Sequence, residues 1–362
     1  MPVQFVRART PAVMLVTAWA LTFAAGACAQ DLDGDNQPDS LELRQGALDC
    51  NHDGVLDGVD IGRPHFTSAI EHLNGIVQFQ NNVWDVTPID FNQDGKMDLA
   101  FTIFFSTDEG KIALWRNDGG PGLVFHDEIA FADARPYAIG SGDLDADGMT
   151  DLVASDASYN RVFVLRATGP GTFAPAIILQ GDSATNGSVG VALGDLDNDG
   201  DLDVAATSWG TNKVNVWKNA GGGTFGPRAT FAVSYQPRDV AIGDFTGDGF
   251  ADLAVANEFE SANPPSADGT VSLLANTGTG AFTPAGVVTP PRGGAPYNYQ
   301  PRPKFVELFD IDHDGDRDLL VSSEGSNVVS LHANNGTGTF TLAQSFGGFP
   351  IEKDPTDVKV LD

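Results

Sequence analysis

One acidic phrase returns five times along the 362-residue chain, and it constrains the fold more than any other feature. Each copy has oxygen-bearing side chains at positions 1, 3, 5 and 9 and a glycine at position 6. Calcium takes about 6–8 oxygen ligands, so a short loop that supplies several of them must curl tightly. The glycine permits this turn because it adopts positive φ without steric cost. The predicted side-chain ligands are Asp90, Asn92, Asp94, Asp98, Asp143, Asp145, Asp147, Asp151, Asp195, Asp197, Asp199, Asp203, Asp244, Thr246, Asp248, Asp252, Asp310, Asp312, Asp314 and Asp318.

The spacing of the copies predicts the architecture. Their first aspartates stand at positions 90, 143, 195, 244 and 310, and repeats of this length are typical of solenoids, propellers and modular arrays. Each repeat contains four short apolar runs separated by turn residues, without helical periodicity. Such units predict an all-β fold, a β-propeller of four-stranded blades. A string of independent β domains is the alternative, but one four-stranded sheet cannot bury both of its faces. The fourth runs begin at Phe125, Phe173, Phe225, Phe282 and Phe340.

The repeats resemble a known family. The loops have the form Asp-x-Asp-x-Asp-Gly-x-x-Asp-Leu, and two repeats continue with Asn-x-Gly-x-Gly-x-Phe or a near variant, at 276–282 and 335–340. These motifs are similar to FG-GAP/VCBS repeats, which form the propellers of integrin α-subunit heads and of many secreted bacterial proteins. The resemblance covers residues 65–362 and implies calcium in the hairpin between the first two strands of each blade. Asn92 and Thr246 are neutral at position 3, so we expect their loops to bind calcium less tightly than the other three.

The ends of the repeat region predict an incomplete ring. Residues 65–74 resemble a fourth strand, and residues 355–362 align with the first strand and first ligand at 237–244. We therefore expect five complete blades plus a partial blade, truncated from a ring of six or seven. The two leftover segments should then be a lone edge strand and a lone inner strand, with the ring open or loosely closed between them.

The N-terminus predicts export. Arg7 and Arg9 precede an apolar run at 11–27, and Ala27-Cys28-Ala29 offers a small-x-small cleavage site. We expect residues 1–29 to be a signal peptide, leaving a secreted, cell-surface or periplasmic protein without a membrane span. An uncleaved anchor or lipidation at Cys28 is the alternative. After cleavage only Cys50 remains, so no intramolecular disulfide can form.

Residues 30–62 carry a second kind of acidic loop. Two segments place oxygen ligands with the spacing of the EF-hand loop and its dockerin and thrombospondin type 3 relatives, which they resemble. We expect a short stalk stiffened by calcium, and a docking role is the alternative. The predicted ligands are Asp31, Asp33, Asp35, Asp39, Glu42, Asp49, Asn51, Asp53, Asp57 and Asp60.

The net charge and the absence of enzyme motifs limit the classes of function that the sequence suggests. The net charge is −29 with only 20 Lys and Arg and no basic stripe, which argues against nucleic-acid binding. None of the six histidines has zinc-ligand spacing, and no Gly-x-Ser-x-Gly motif occurs. We therefore expect a non-enzymatic adhesion or ligand-binding module for an extracellular carbohydrate or protein. The alternative is a carbohydrate-active enzyme, a polysaccharide lyase or hydrolase, in which some aspartates act as acid and base.

A ligand should bind at the end of the propeller opposite the acidic loops, where the turns between second and third strands meet those between blades. These turns combine aromatic rings, which offer flat apolar area, with arginines, which offer fixed hydrogen-bond donors. Packing between blades is the alternative role for the same side chains. The residues are Tyr159, Trp209, Phe259, Tyr297, Tyr299, Arg135, Arg238, Arg292 and Arg302.

Overall fold

The computed structural model describes residues 5–6, 83–104, 109–120, 122–183, 187–260, 268–294, 299–347 and 357–358. They belong to one structural unit, Gln4–Met14 together with Gln80–Lys359. The predicted stalk at 30–62 and the segment 65–74 lie outside the described residues, as does the predicted signal peptide except for strand β1 (Phe5–Val6). Within the described part of the chain, no helix is long and apolar enough to cross a membrane.

Five four-stranded antiparallel sheets follow one another along the chain and are numbered sheet 1 to sheet 5. Sheets 1 and 2 comprise β2 (Val83–Ile89), β3 (Asp98–Phe104), β4 (Gly110–Asn117) and β5 (Leu123–Phe131), then β6 (Pro136–Gly142), β7 (Asp151–Asp156), β8 (Arg161–Leu165) and, after a hairpin of β9 (Ala167–Gly169) and β10 (Thr172–Phe173), β11 (Ile177–Gln180). Sheets 3 to 5 comprise β12 (Val191–Gly194), β13 (Asp203–Ser208), β14 (Lys213–Trp217) and β15 (Ala229–Ala232), then β16 (Tyr235–Gly243), β17 (Asp252–Phe259), β18 (Thr270–Asn276) and β19 (Phe282–Val288), then β20 (Pro303–Phe309), β21 (Asp318–Ser323), β22 (Val328–Asn334) and β23 (Phe340–Gly347).

Each sheet has its strands in sequence order, and the first strands of successive sheets contact one another. The second strands are almost entirely buried, whereas the fourth strands are largely exposed. This gradient is that of a propeller blade, whose inner strands are covered by neighbours while its outer strand faces solvent. The predicted all-β propeller of four-stranded blades is thereby confirmed, with five complete blades in the described residues.

Apolar clusters fill the spaces between successive sheets. Between sheets 4 and 5, for example, Phe245 and Leu273 pack with Leu319 and Val321, all of them buried. Comparable clusters lie between sheets 1 and 2, 2 and 3, and 3 and 4. Both faces of an inner sheet are therefore buried, which explains why its central strands are apolar without strict alternation.

Two of the predicted fourth runs are placed wrongly. Phe173 lies in the β9–β10 hairpin, and Phe225 forms an isolated bridge with Asn219, so the fourth strands of sheets 2 and 3 begin later, at Ile177 and Ala229. The reason is packing. Both phenylalanine side chains lie against apolar clusters between sheets, and the chain reaches the sheet edge only after them.

The expectation of a lone inner strand at 355–362 is also wrong for its described part. Strand β24 (Asp357–Val358) pairs antiparallel with β1 and contacts β20 and β21 of sheet 5. An unpaired strand would expose its backbone donors and acceptors, and the pairing with β1 satisfies them. Truncation from a ring of six or seven blades stays a prediction.

His332 in β22 leads to a prediction for pH dependence. Its side chain is buried, with Nε2 3.0 Å from Ser330 Oγ, and burial lowers its pKa from 6.5 to about 4. The folded state therefore binds this proton less readily than the unfolded state, and its contribution to stability is lost as the pH falls below about 6.5. The loss should be on the order of 2 kcal/mol at pH 5.

Urea denaturation of wild type and His332→Leu between neutral pH and pH 5 measures this contribution. The wild type should lose more stability on acidification than the variant. An identical pH dependence for the two proteins would exclude it.

Candidate metal centre

Each acidic loop connects the first two strands of its sheet. The aspartate at position 1 directly follows the first strand, and the one at position 9 begins the second. Because the sheets are antiparallel and in sequence order, all five loops lie at the same end of their sheets, together with the turns between third and fourth strands. Neighbouring loops also touch, since Gln93 Nε2 donates to Gly148 O at 3.2 Å.

The carboxylate at position 1 organises the loop backbone. Asp143 Oδ1 accepts a hydrogen bond from Asp147 N at 3.2 Å, and its Oδ2 accepts one from Gly148 N at 2.9 Å. The other four loops repeat both bonds at 2.7–3.3 Å. Every position-6 glycine has φ between 80° and 97°, so the conformation inferred for it from the sequence is present.

The carboxylate at position 9 is buried and joins the loop to the end of the third strand or to a residue just after it. Asp203 Oδ2 accepts from Leu196 N at 2.9 Å, and its Oδ1 accepts from Asn219 N at 2.7 Å. Burial, with a smaller contribution from nearby carboxylates, raises the pKa of Asp203 and of Asp151 to about 6. The backbone hydrogen bonds act to lower these pKa values but do not outweigh burial. A bound divalent cation would reverse this shift, because it favours the charged form.

Position 3 supplies the atoms that most clearly suit a cation. Asp145 Oδ1 and Asp197 Oδ1 are buried and have no hydrogen-bond partner. Their other oxygens lie 3.6 Å from Arg166 Nη1 and 3.1 Å from Lys218 Nζ. A buried acceptor without a donor is costly, and a metal ion at the centre of the loop would satisfy it.

Three of the five loops bring carboxylate oxygens within 4.8 Å of one another, close enough to share one metal ion. In the other two loops, a side chain of the loop itself donates to one of its carboxylates. Asn92 Nδ2 and Lys96 Nζ each lie 3.2 Å from Asp94 Oδ2, and Thr246 Oγ1 donates to Asp252 Oδ2 at 3.1 Å. The clusters are Asp143, Asp145 and Asp151; Asp195, Asp197 and Asp199; and Asp310, Asp312 and Asp318.

At the opposite end of the sheets, the predicted aromatic and arginine residues form separate pairs. The Arg238 guanidinium lies 5.5 Å from the ring centre of Trp209, and that of Arg302 lies 5.3 Å from Phe259. Tyr159 is paired with Arg161 rather than with a predicted arginine. Arg135 lies over Phe104, and Arg292 forms an ion pair with Asp268. Tyr297 lies outside the described residues.

Sequence reasoning missed an exposed aromatic group at this end. Trp84 in β2 is 45% exposed and stacks on Phe104 of β3, with ring centres 4.7 Å apart, while Tyr137 of β6 lies 5.0 Å away. Two of these residues lie near the start of a first strand and the third ends a second strand, so strand pairing within sheet 1 and packing against sheet 2 are both needed to bring them together. Their one signal in the sequence is an aromatic residue near the end of a strand.

A chain of ion pairs crosses sheets 4 and 5 near the same end. Glu258 pairs with Arg238 and with Lys304, and Lys304 also lies 2.8 Å from Glu324. Burial acts to raise the pKa of Glu258, but Lys304 and Arg238 outweigh it and the pKa is lowered. Glu258 is therefore held in its charged form.

Comparison with known proteins places these loops in a family. FG-GAP-like repeats match residues 90–154, 143–206 and 195–255, and a further FG-GAP repeat matches residues 237–274. The chain belongs to the FG-GAP repeat family. The first three family repeats begin at Asp90, Asp143 and Asp195, the position-1 residues of three loops, so the family unit and the acidic loop are in phase. No curated protein matches this FG-GAP repeat chain.

Solved structures resemble this FG-GAP repeat protein at low identity. A protein from Lactobacillus plantarum is 22% identical with a TM-score of 0.52, covering 74% of this chain and 71% of its own, and this likeness shows the fold. An Agrocybe aegerita lectin described as recognising non-reducing terminal N-acetylglucosamine is 20% identical with a TM-score of 0.45, covering 73% of this chain and 65% of its own. A functionally unknown protein from Desulfotomaculum acetoxidans is 16% identical with a TM-score of 0.47, covering 75% and 73%.

Proposed function

We propose that this protein is a secreted or surface-exposed calcium-binding propeller that serves as an adhesion or ligand-binding module for a carbohydrate or a protein. The observation that carries the metal part is the unpartnered buried oxygen of Asp145 and of Asp197 inside clusters of further carboxylates. The ligands are all oxygen atoms, which suits calcium and does not suit zinc with its preference for nitrogen and sulfur.

Calcium would be held by the side chains at positions 1, 3, 5 and 9 and by the backbone carbonyl at position 7. Its positive charge would offset the repulsion among the loop carboxylates of a chain whose net charge is −29. Hydrogen bonds from the loop backbone hold the position-1 carboxylate in place. A hydrogen bond from a residue just after the third strand holds the position-9 carboxylate Asp203. The ten predicted ligands between residues 31 and 60 belong to the same proposal.

The ligand-binding part of the proposal rests on exposed aromatic rings at the end of the sheets that also carries the arginine–aromatic pairs. Trp84 is 45% exposed and Tyr299 is 48% exposed, both on the end of the sheets opposite the metal loops. Flat rings next to fixed donors suit sugar rings and peptide groups. Glu258 is a poor candidate for the general acid of the alternative enzyme, because its lowered pKa keeps it charged.

A glycan and peptide array probed with the purified protein, in calcium and in EDTA, tests this function. We expect binding that Trp84→Ala abolishes and that Ile178→Ala retains, since Ile178 is 53% exposed but lies on the outer strand of sheet 2. Failure to bind any glycan or peptide would contradict the proposal. Release of reducing or unsaturated sugar ends from a polysaccharide would favour the carbohydrate-active enzyme instead.

The fourth loop provides a gain-of-binding prediction. Thr246→Asp should remove the hydroxyl that occupies Asp252 and complete the set of four carboxylates, so calcium affinity at this loop should rise about tenfold or more. Calorimetric titration should count one additional tight site per chain. Thr277→Asp, which adds the same charge in an exposed turn of the same sheet, should leave the count unchanged. An equal response of both variants would show that net charge alone is responsible.

A further inference from the structure

We infer that three buried asparagines, Asn219, Asn276 and Asn334, couple the metal loops of successive sheets, so that filling one loop raises the calcium affinity of its neighbour. None of the three is a predicted metal ligand. The inference rests on the calcium binding proposed above, and it concerns how the sites influence one another. The three residues are called the bridging asparagines.

Asn219 shows the contact in full. Its Nδ2 donates to Leu144 O at 2.7 Å and to Leu202 O at 3.2 Å, and its backbone N donates to Asp203 Oδ1 at 2.7 Å. Leu144 is position 2 of the loop in sheet 2, whereas Leu202 and Asp203 are positions 8 and 9 of the loop in sheet 3. One side chain therefore holds two metal loops at once.

Asn276 repeats the contact between sheets 3 and 4. Its Nδ2 donates at 2.8 Å both to Leu196 O in the preceding loop and to Ala251 O in its own, and its backbone N donates to Asp252 Oδ1 at 2.8 Å. The side chain is buried, so water does not compete for these bonds. The same three donors thus reach the same three loop positions as in Asn219.

Asn334 repeats it between sheets 4 and 5. Its Nδ2 donates to Phe245 O at 2.8 Å and to Arg317 O at 3.0 Å, and its backbone N donates to Asp318 Oδ1 at 2.9 Å. The same geometry recurs at three junctions, so the contact is a regular feature of the repeat and not a chance contact.

Position 2 is the point at which the bridge acts on the metal site, because it lies between ligand positions 1 and 3. Its side chain is anchored as well as its carbonyl. Leu144, Leu196 and Phe245 are buried in the apolar clusters between sheets. A shift of the position-3 carboxylate toward a metal ion must therefore move the bridging asparagine, which is fixed to position 9 of the next loop. Coupling passes through this continuous set of contacts.

The junction between sheets 1 and 2 is built differently. Ala167 occupies the place of the asparagine, and its backbone N keeps the bond to Asp151 Oδ1 at 2.7 Å. The carbonyl of Phe91, position 2 of the first loop, instead accepts from the backbone N of Gly171 at 2.8 Å. In sheet 1, Asn117 Nδ2 donates to Met97 O of its own loop at 3.2 Å. Side-chain bridges therefore join loops 2 to 3, 3 to 4 and 4 to 5.

The test is a calcium titration of isotope-labelled protein followed by the backbone amide signals of Gly148 and Gly200. Each glycine donates to the position-1 aspartate of its own loop, so its signal reports the filling of that loop most directly. Disabling loop 3 with Asp197→Ala should weaken calcium binding at loop 2, read from Gly148, by on the order of 5-fold. Asp145→Ala should weaken loop 3, read from Gly200, by the same factor, because coupling is reciprocal.

The asparagine itself is tested by adding Asn219→Ala, which removes no ligand. In that background, Asp197→Ala should change the Gly148 titration less than twofold. Asn117→Ala is the matched control, because it removes the same amide in sheet 1 and should leave the coupling of loops 2 and 3 intact. An unchanged Gly148 titration after Asp197→Ala in the otherwise wild-type chain overturns the inference while leaving calcium binding in place. If neither glycine responds to calcium, the proposed metal sites fail as well.

Discussion

Replacing Asp203 with alanine should lower the free energy of unfolding by about 2–6 kcal/mol, the largest effect we expect from one substitution. The side chain is buried and accepts hydrogen bonds from Leu196 N at 2.9 Å and Asn219 N at 2.7 Å. Alanine leaves both backbone N–H groups buried without an acceptor, and each such group costs about 1–3 kcal/mol. Chemical denaturation in calcium measures the loss.

Asp201→Ala is the matched control for this substitution. Asp201 lies in the same loop and carries the same charge, but position 7 offers calcium only its backbone carbonyl, so its side chain should contribute little. Asp203→Asn should fall between the two, because it keeps one acceptor oxygen and removes the charge. Equal stabilities of Asp203→Ala and Asp201→Ala would show that the two hydrogen bonds of the Asp203 side chain do not stabilise the blade.

Removing calcium should lower the melting temperature by on the order of 10–20 °C. Three sites, each contributing about 2.7 kcal/mol at calcium concentrations a hundred times the dissociation constant, would supply this shift. Without metal, the carboxylates of each cluster lie within 4.8 Å of one another and repel. Thermal melting in millimolar calcium and in EDTA measures the difference.

Single-loop variants separate metal binding from a general effect of the chelator. Asp145→Ala or Asp197→Ala should lower the melting temperature in calcium more than Thr246→Ala does, because each removes a charged ligand from a complete set. The differences in melting temperature among these variants should be smaller in EDTA, where no loop is filled. Identical melting of the wild type with and without calcium would mean that the loops do not stabilise the fold.

The sequence predicts the loops and the sheets well because both depend on residues that are close together in the chain. A ligand loop needs oxygen side chains within nine residues, and a strand needs apolar residues at close spacing. The position-1 and position-9 aspartates accordingly lie where the repeat predicts, at the end of one strand and the start of the next. Phe173 and Phe225 mark where this reasoning fails, because their packing between sheets displaces the following strand.

Long-range contacts had no comparable signal. Asn276 and Leu196 are 80 residues apart in the chain, and nothing in either repeat alone pairs the amide of one with the carbonyl of the other. The stack of Trp84 on Phe104 likewise needs the two strands to be aligned before it can be recognised. Such contacts follow from the fold and become visible only once the sheets are placed side by side.

The loop backbone has a second left-handed turn that the sequence did not reveal. Position 4 has positive φ in all five loops, at Gln93, Ala146, Asn198, Gly247 and His313, with values of 57° to 74°. Only one of these residues is glycine, so no residue type marks the position. The conformation is sustained by the hydrogen bonds that the position-1 carboxylate accepts from positions 5 and 6.

Long-wavelength diffraction from crystals grown in calcium tests the central claim most directly. We expect anomalous difference peaks in the loops that begin at Asp143, Asp195 and Asp310, each within about 2.3–2.6 Å of carboxylate oxygens at positions 1 and 3 and of a further one at position 5 or 9. Weaker or absent peaks are expected in the loops that contain Asn92 and Thr246. Ordered loops without anomalous density at Asp143, Asp195 and Asp310 would contradict the account.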